Sequence, residues 1–335
     1  MTTRRTLLKS ATALVALSLV TPAFAQSNEP IPVVASFSIL GEMVARIGGD
    51  HIALNTLVGP DGDAHVYQPT PADARAVSGA DILFVNGIAF EGWIDRLVEA
   101  SDFDGTQIVA TAGITPIAFE DDHDDYDGHD HDAYAEGDHE HDHDDHDHHD
   151  EAGHEGHDHG AFDPHAWQSL PNAIVYIDNI AAALAQADPA NAATFYRNRA
   201  EFVAEIEALD AEIRATLEAL PANRRTIVTS HDAFGYFAEE YGLTFLAPQG
   251  VSTEAEASAR DVAELITQIR DQSIGAVFVE SISDSRLLEQ IASETDATIG
   301  GTLYSDALSG SDGPAATYLD MMRHNLAMLT DALNS

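Results

Sequence analysis

The chain has no cysteine. A disulfide is therefore excluded, and any metal site must be built from histidine and carboxylates. Lysine is almost as scarce, with Lys9 the only one. No apolar run is long enough to span a bilayer as a helix. The Gly-x-Ser-x-Gly elbow of serine hydrolases is missing. Positive charge is thin throughout. Beyond residue 25, 12 arginines face 57 acidic residues, for a formal charge of −45. Nucleic acid and anionic membrane surfaces are poor partners for such a chain, whereas a cation suits it. For most of these acids, solubility is explanation enough.

The first 25 residues read as a cleaved signal peptide. Arg4, Arg5 and Lys9 supply the charged start, residues 11–20 the short apolar run, and Ala23-Phe24-Ala25 the cleavage signal before Gln26. Residues 3–9 also resemble a twin-arginine export signal. The twin-arginine and general routes both end in the periplasm. No cysteine follows the cleavage site, so no lipid anchor is expected there.

Residues 120–160 break the pattern, with 12 histidines, 19 acids and no basic residue. Such a segment buries too little surface to offset its ordering entropy, and it reads as a disordered loop inserted in a folded lobe. Elsewhere, short β-branched or apolar runs predict strands at 32–37, 52–58, 82–86, 108–111, 226–229, 244–247, 276–280 and 298–303. Helical patterns lie between them. Thr70-Pro71-Ala72-Asp73 has the form of a capped helix start, and Ser258-Ala259-Arg260-Asp261 opens another helix. The alternation predicts an α/β architecture with mostly parallel sheets.

Residues 191–220 contain no glycine or proline, and Phe195, Phe202, Ile206, Leu209, Ile213 and Leu217 recur at helical spacing. This helix reads as a rigid connector between two lobes, against the alternative of a long helix packed on one of them. The expected division is 26–190 for an N-terminal α/β lobe, 191–220 for the linking helix and 221–335 for a C-terminal α/β lobe.

Five histidines lie outside the insert: His51, His65, His165, His231 and His324. His65 lies beyond the strand ending at Val58. His231 directly follows the 226–229 strand, at an expected helix start. His165 sits in Asp163-Pro164-His165-Ala166-Trp167, and Asp306 follows the 298–303 strand. Positions just past strand ends are where open α/β sheets bind ligands. The four split evenly about the long helix, which lets them converge in a cleft between lobes. Three imidazoles and a carboxylate suit a tetrahedral Zn²⁺ with bonds of about 2.0–2.2 Å. Mg²⁺ and Ca²⁺ prefer oxygen shells, Mn²⁺ and Fe²⁺ more carboxylate, and Cu²⁺ or Ni²⁺ also fit. Taken singly, a loop histidine is more often a surface residue than a ligand, and Asp306 alone reads equally as a helix N-cap. His51 and His324 have no such setting and read as surface or packing residues.

Six segments carry a family resemblance: residues 59–73, 86–93, 163–167, 229–237, 250–256 and 301–309. In this order they resemble the solute-binding proteins of metal ABC importers (cluster A-I), specifically the zinc-uptake, ZnuA-like type. The resemblance runs from about Ile31 to the C-terminus. It implies two α/β lobes, each a mostly parallel sheet flanked by helices, joined by one long rigid helix with the metal in the cleft. It carries the ligand positions onto His65, His165, His231 and Asp306. Manganese and iron relatives tend to have Glu at the third position, so His231 points to zinc. Some zinc members use water or Glu as fourth ligand, and some have a second-lobe disulfide that this chain lacks.

The resemblance implies a monomeric periplasmic protein that captures Zn²⁺ and delivers it to an inner-membrane ABC permease, touching the membrane only through that partner. It is not expected to be an enzyme, since four protein ligands leave no open position for a catalytic water. The alternatives are a Mn²⁺/Fe²⁺ importer protein and a zinc buffer or chaperone without a transporter. The insert histidines are candidate weak zinc ligands: His123, His129, His131, His139, His141, His143, His146, His148, His149, His154, His157 and His159.

Overall fold

The computed structural model describes residues 29–118, 162–221 and 224–334. The expected signal peptide and the histidines of the 120–160 insert lie outside the described residues. The elements run β1 (Ile31–Phe37), α1 (Ser38–Gly48), β2 (Ile52–Val58), α2 (Pro71–Ser78), β3 (Ile82–Val85), α3 (Ile94–Ala100), β4 (Thr106–Val109), α4 (Leu170–Ala187) and α5 (Ala192–Glu218). The second half runs β5 (Thr226–Val228), α6 (Gly235–Tyr241), β6 (Thr244–Leu246), α7 (Ala259–Gln272), β7 (Ala276–Glu280), α8 (Arg286–Glu294), β8 (Thr298–Leu303) and α9 (Tyr318–Asn334).

The strands form two sheets of one topology, β2-β1-β3-β4 and β6-β5-β7-β8. Every pairing is parallel. In each sheet the chain first crosses to one side of its starting strand and then to the other. The switch point therefore falls between β1 and β3 in the first lobe and between β5 and β7 in the second. A ligand crevice opens beyond the C-terminal ends of such strands.

Strand β4 starts two residues before the expected 108–111 run. Thr106 and Gln107 are exposed on this edge strand, so pairing with β3 sets its bounds and hydrophobicity does not. The Thr70 start is a full capping box: its side chain accepts the Asp73 N–H, and Asp73 accepts the Thr70 N–H. Ser258 caps α7 by accepting the Asp261 N–H at 3.1 Å.

The 27 residues of α5 reach about 40 Å at 1.5 Å per residue. Its predicted apolar face is buried from Phe195 to Leu217. It packs on α1 and α4 of the first lobe and on α6 and α9 of the second. Asn198 Nδ2 donates to the Ile47 carbonyl at 2.9 Å in the first lobe. Arg214 pairs with Glu240 of α6 in the second. The helix thus spans both lobes and is not confined to one. Among the described residues, no helix is long and apolar enough to cross a membrane.

Candidate metal centre

Each lobe sends two side chains to the crevice. From the first, His65 follows β2, and His165 precedes a single 3-10 turn, Ala166–Gln168. From the second, His231 follows β5 and Asp306 follows β8. His231 is not at a helix start, since α6 begins at Gly235 and His231 instead bridges to Gln249. Asp306 caps no helix either, because α9 begins only at Tyr318.

One atom from each of the four lies within 4.8 Å of every other. His65 Nε2 is 3.3 Å from His165 Nε2 and 3.3 Å from Asp306 Oδ2. His165 Nε2 is 3.5 Å from Asp306 Oδ1, and His231 Nε2 is 3.1 Å from Asp306 Oδ2. His165, His231 and Asp306 have no exposed surface, and His65 retains 9%. Among the described residues, both Asp306 oxygens and His231 Nε2 are buried without a hydrogen bond. An unsatisfied buried polar atom costs roughly 1–3 kcal/mol, and a cation held among these atoms offsets that cost. The donor set fits a divalent metal.

Two buried carboxylates orient the rings, and the sequence pattern alone assigns neither. Asp163 Oδ1 accepts the His165 Nδ1–H at 2.7 Å and the His165 backbone N–H at 2.9 Å. Glu280 Oε1 accepts the backbone N–H groups of Ser230 and His231 at 2.8 and 2.9 Å. Its Oε2 lies 2.7 Å from His231 Nδ1, an ion-pair distance whose angle falls short of a hydrogen bond. Each grip leaves Nε2 facing the centre, as ligating histidines require. The one trace Glu280 leaves in the sequence is its place as an acid closing the apolar strand Ala-Val-Phe-Val-Glu, which by itself reads equally as an exposed strand end.

The electrostatics follow from burial and these partners. Burial works to lower His231, but Glu280 and Asp306 outweigh it and raise the imidazole well above its ordinary value. Burial works to raise Asp306, but His231 and His165 hold it well below the usual carboxylate range. Burial lowers His65 against the pull of Asp306.

Further supports come from both lobes. Glu91, buried between β3 and α3, accepts from Ser36 Oγ at 2.5 Å and from the Asn86 N–H at 2.7 Å. Asn86 Nδ2 then donates to the Pro164 carbonyl at 2.9 Å, next to His165. The loop between them carries positive φ at Gly87, Ile88 and Ala89 (89°, 52° and 56°). That strained path seats Phe90 against His65, with ring centroids 4.7 Å apart. Across the crevice, Trp167 Nε1 and Gln168 Nε2 both donate to the Ser305 carbonyl, at 2.9 and 2.7 Å. Asn325 of α9 pins the Tyr304 backbone through both its amide N and O. His51 and His324 stay outside the cluster. The first packs edge-on to Phe195, and the second lies 2.9 Å from the Thr302 carbonyl.

Two lobes with matching parallel sheets, spanned by one long helix and facing each other across buried imidazoles, define a solute-binding protein for a metal ion. Comparison with known proteins gives the family. The chain matches the family described as "Zinc-uptake complex component A periplasmic" (ZnuA) over residues 33–332, and it belongs to that family. The family supplies periplasmic metal-binding substrate proteins of ABC importers, which imply a permease and ATPase as partners; they are not enzymes. The iron-binding protein YfeA of Yersinia pestis is 33% identical over 311 residues, covering 91% of this chain and 89% of YfeA. The manganese-bound periplasmic metal-binding protein of Candidatus Liberibacter asiaticus is 31% identical with TM-score 0.73, covering 91% of this chain and 100% of that one. The periplasmic zinc-binding protein TroA of Treponema pallidum is 26% identical with TM-score 0.76, covering 91% and 99%.

Proposed function

We propose that this protein captures Zn²⁺ in the periplasm and delivers it to an inner-membrane ABC zinc importer, with His65, His165, His231 and Asp306 as the four ligands. The carrying observation is the spacing of the donors. A tetrahedral ion with bonds of about 2.0–2.1 Å separates its ligand atoms by about 3.3 Å. Four contacts among these side chains, three of them to one Asp306 oxygen or the other, run from 3.1 to 3.5 Å, and all four ligand atoms lie within 4.8 Å of one another, room for one such ion after small adjustment. Three neutral imidazoles and one carboxylate, with no thiolate in the chain, favour zinc over Mg²⁺ and Ca²⁺. The iron and manganese relatives favour a second reading, transport of Fe²⁺ or Mn²⁺. Metal analysis of protein purified without added metal, with competition titrations of Zn²⁺, Mn²⁺ and Fe²⁺, separates the two. Zinc as the bound and preferred ion is expected; bound manganese or iron overturns the zinc reading.

The mature protein is a monomer beginning at Gln26, divided as 26–190, 191–220 and 221–335. The composition of residues 1–25 and the run of α5 support that division. The 12 histidines of residues 120–160 add weak zinc sites, their acids raising the local cation concentration.

A further inference from the structure

One inter-lobe contact at the site has no part in ligation. The Tyr236 hydroxyl belongs to α6 of the second lobe and reaches into the first. It donates to the Asp163 carbonyl at 2.9 Å and accepts the Ile117 N–H at 3.2 Å. The Asp163 N–H in turn donates to the Ile117 carbonyl at 2.9 Å. One phenol therefore clasps two first-lobe segments, and one of them carries the carboxylate that orients His165. The preceding residue packs on that same carboxylate. A Cβ at Gly235 would stand 2.4 Å from Asp163 Oδ2, so only glycine fits without displacing the oxygen. On the opposite side, Asn86 of the first lobe holds the Pro164 carbonyl. The 163–165 segment thus has two supports from its own lobe, Asn86 and Ile117, and one from the other, Tyr236.

We propose that Tyr236 is a positioning residue that makes tight retention of the ion by His165 conditional on closure of the lobes. The inference rests on the reading of His165 as a ligand. His65 and His165 sit on the same lobe and would stay together as a two-imidazole site after the lobes part. The second-lobe clasp removes that residual hold. When α6 withdraws, Asp163 loses its outer support as His231 and Asp306 leave. The His165 ring loses its fixed direction at the same moment, and opening releases the ion in one step.

The test is the rate at which a chelator removes Zn²⁺ from the full-length protein. Tyr236→Phe keeps the ring and deletes the oxygen. Dissociation is expected to accelerate by about tenfold or more, within the roughly 10–100-fold range for partners that orient metal ligands. Gly235→Ala is expected to act in the same direction through Asp163. Tyr241→Phe is the control. It lies on the same helix, but its hydroxyl donates to Asp210 of α5 at 2.8 Å. It is expected to lower thermal stability and leave dissociation unchanged. Equal rates for wild type and Tyr236→Phe overturn the proposal, as does an equal acceleration by Tyr241→Phe. A wild-type protein that retains no Zn²⁺ against the chelator overturns the zinc reading as well. One that retains it while Tyr236→Phe changes nothing overturns the positioning role alone.

Discussion

Glu280 grips His231 at two points, accepting its backbone N–H at 2.9 Å while holding its ring Nδ1 at 2.7 Å. The grip decides which ring nitrogen faces Asp306. Glu280→Gln keeps the shape and removes the charge. Zinc affinity is expected to fall by roughly 10–100-fold, measured by competition against a chelator of known affinity. Unchanged affinity would assign Glu280 to the fold alone.

His165→Ala removes a donor at the centre of the cluster and is expected to abolish tight binding. Trp167 supplies the readout. Its ring is fully buried, 5.3 Å from the His165 ring, and bonded to the Ser305 carbonyl beside Asp306. Wild-type fluorescence is expected to change on addition of Zn²⁺ and that of His165→Ala to stay flat. Wild-type affinity in the variant discards the ligand assignment.

The raised His231 value sets the pH behaviour of the metal-free protein. The folded imidazole titrates above the unfolded one, so its stabilising contribution is complete below about pH 6.5 and fades as pH rises through the raised value. Asp306 has the opposite sign. Its contribution is present above about pH 4 and is lost as pH falls through its depressed value. With His231 as a ligand, as proposed, metal binding needs its imidazole neutral, so binding near pH 7 is expected to release protons. Calorimetry in buffers of different ionisation heat counts those protons. Binding with no proton release at pH 7 refutes the pairing.

Deletion of residues 121–159 is expected to leave one tight zinc site and remove several weak ones, as read by calorimetric stoichiometry. Identical stoichiometry in the full-length and deleted proteins would make the insert a spacer.

Ala89 is exposed and has φ of 56°. A non-glycine residue in this conformation is strained by roughly 1–2 kcal/mol. Replacing alanine with glycine ordinarily costs about 0.5–1 kcal/mol. Ala89→Gly is therefore expected to be neutral or to stabilise by up to about 1 kcal/mol in chemical denaturation. An ordinary loss would argue against strain in this loop.

Legibility differs by kind of feature. All eight strands are readable as short β-branched or apolar runs, six of them because they bury part of their length, whereas β4 and β6 have no fully buried residue and are bounded by pairing. The α5 connector is readable because Phe195 to Leu217 repeat at helical spacing over a stretch without breakers. The meeting of His65, His165, His231 and Asp306 is legible from the positions of His65, His231 and Asp306 past strand ends and, for His165, from the family motif alone. The orienting groups are not. In sequence, Asp163 looks like part of a loop motif, and Glu280 like the last residue of a strand. Their roles exist only once β5 and β7 lie side by side and the 163–165 segment is pressed against α6. Tyr236 is hidden for the same reason, since its partners Ile117 and Asp163 are 119 and 73 positions away in the chain.

The enclosure of the cluster has a kinetic corollary. A small chelator surrenders its ion bond by bond to the surrounding water. With His165, His231 and Asp306 among the ligands, as proposed, three of the four donors have no contact with solvent, so that stepwise path is blocked in this arrangement of the lobes. How long the cargo stays and how strongly it is bound become separate properties. A receiving surface that levers the halves apart can hasten delivery manyfold without altering a single donor atom.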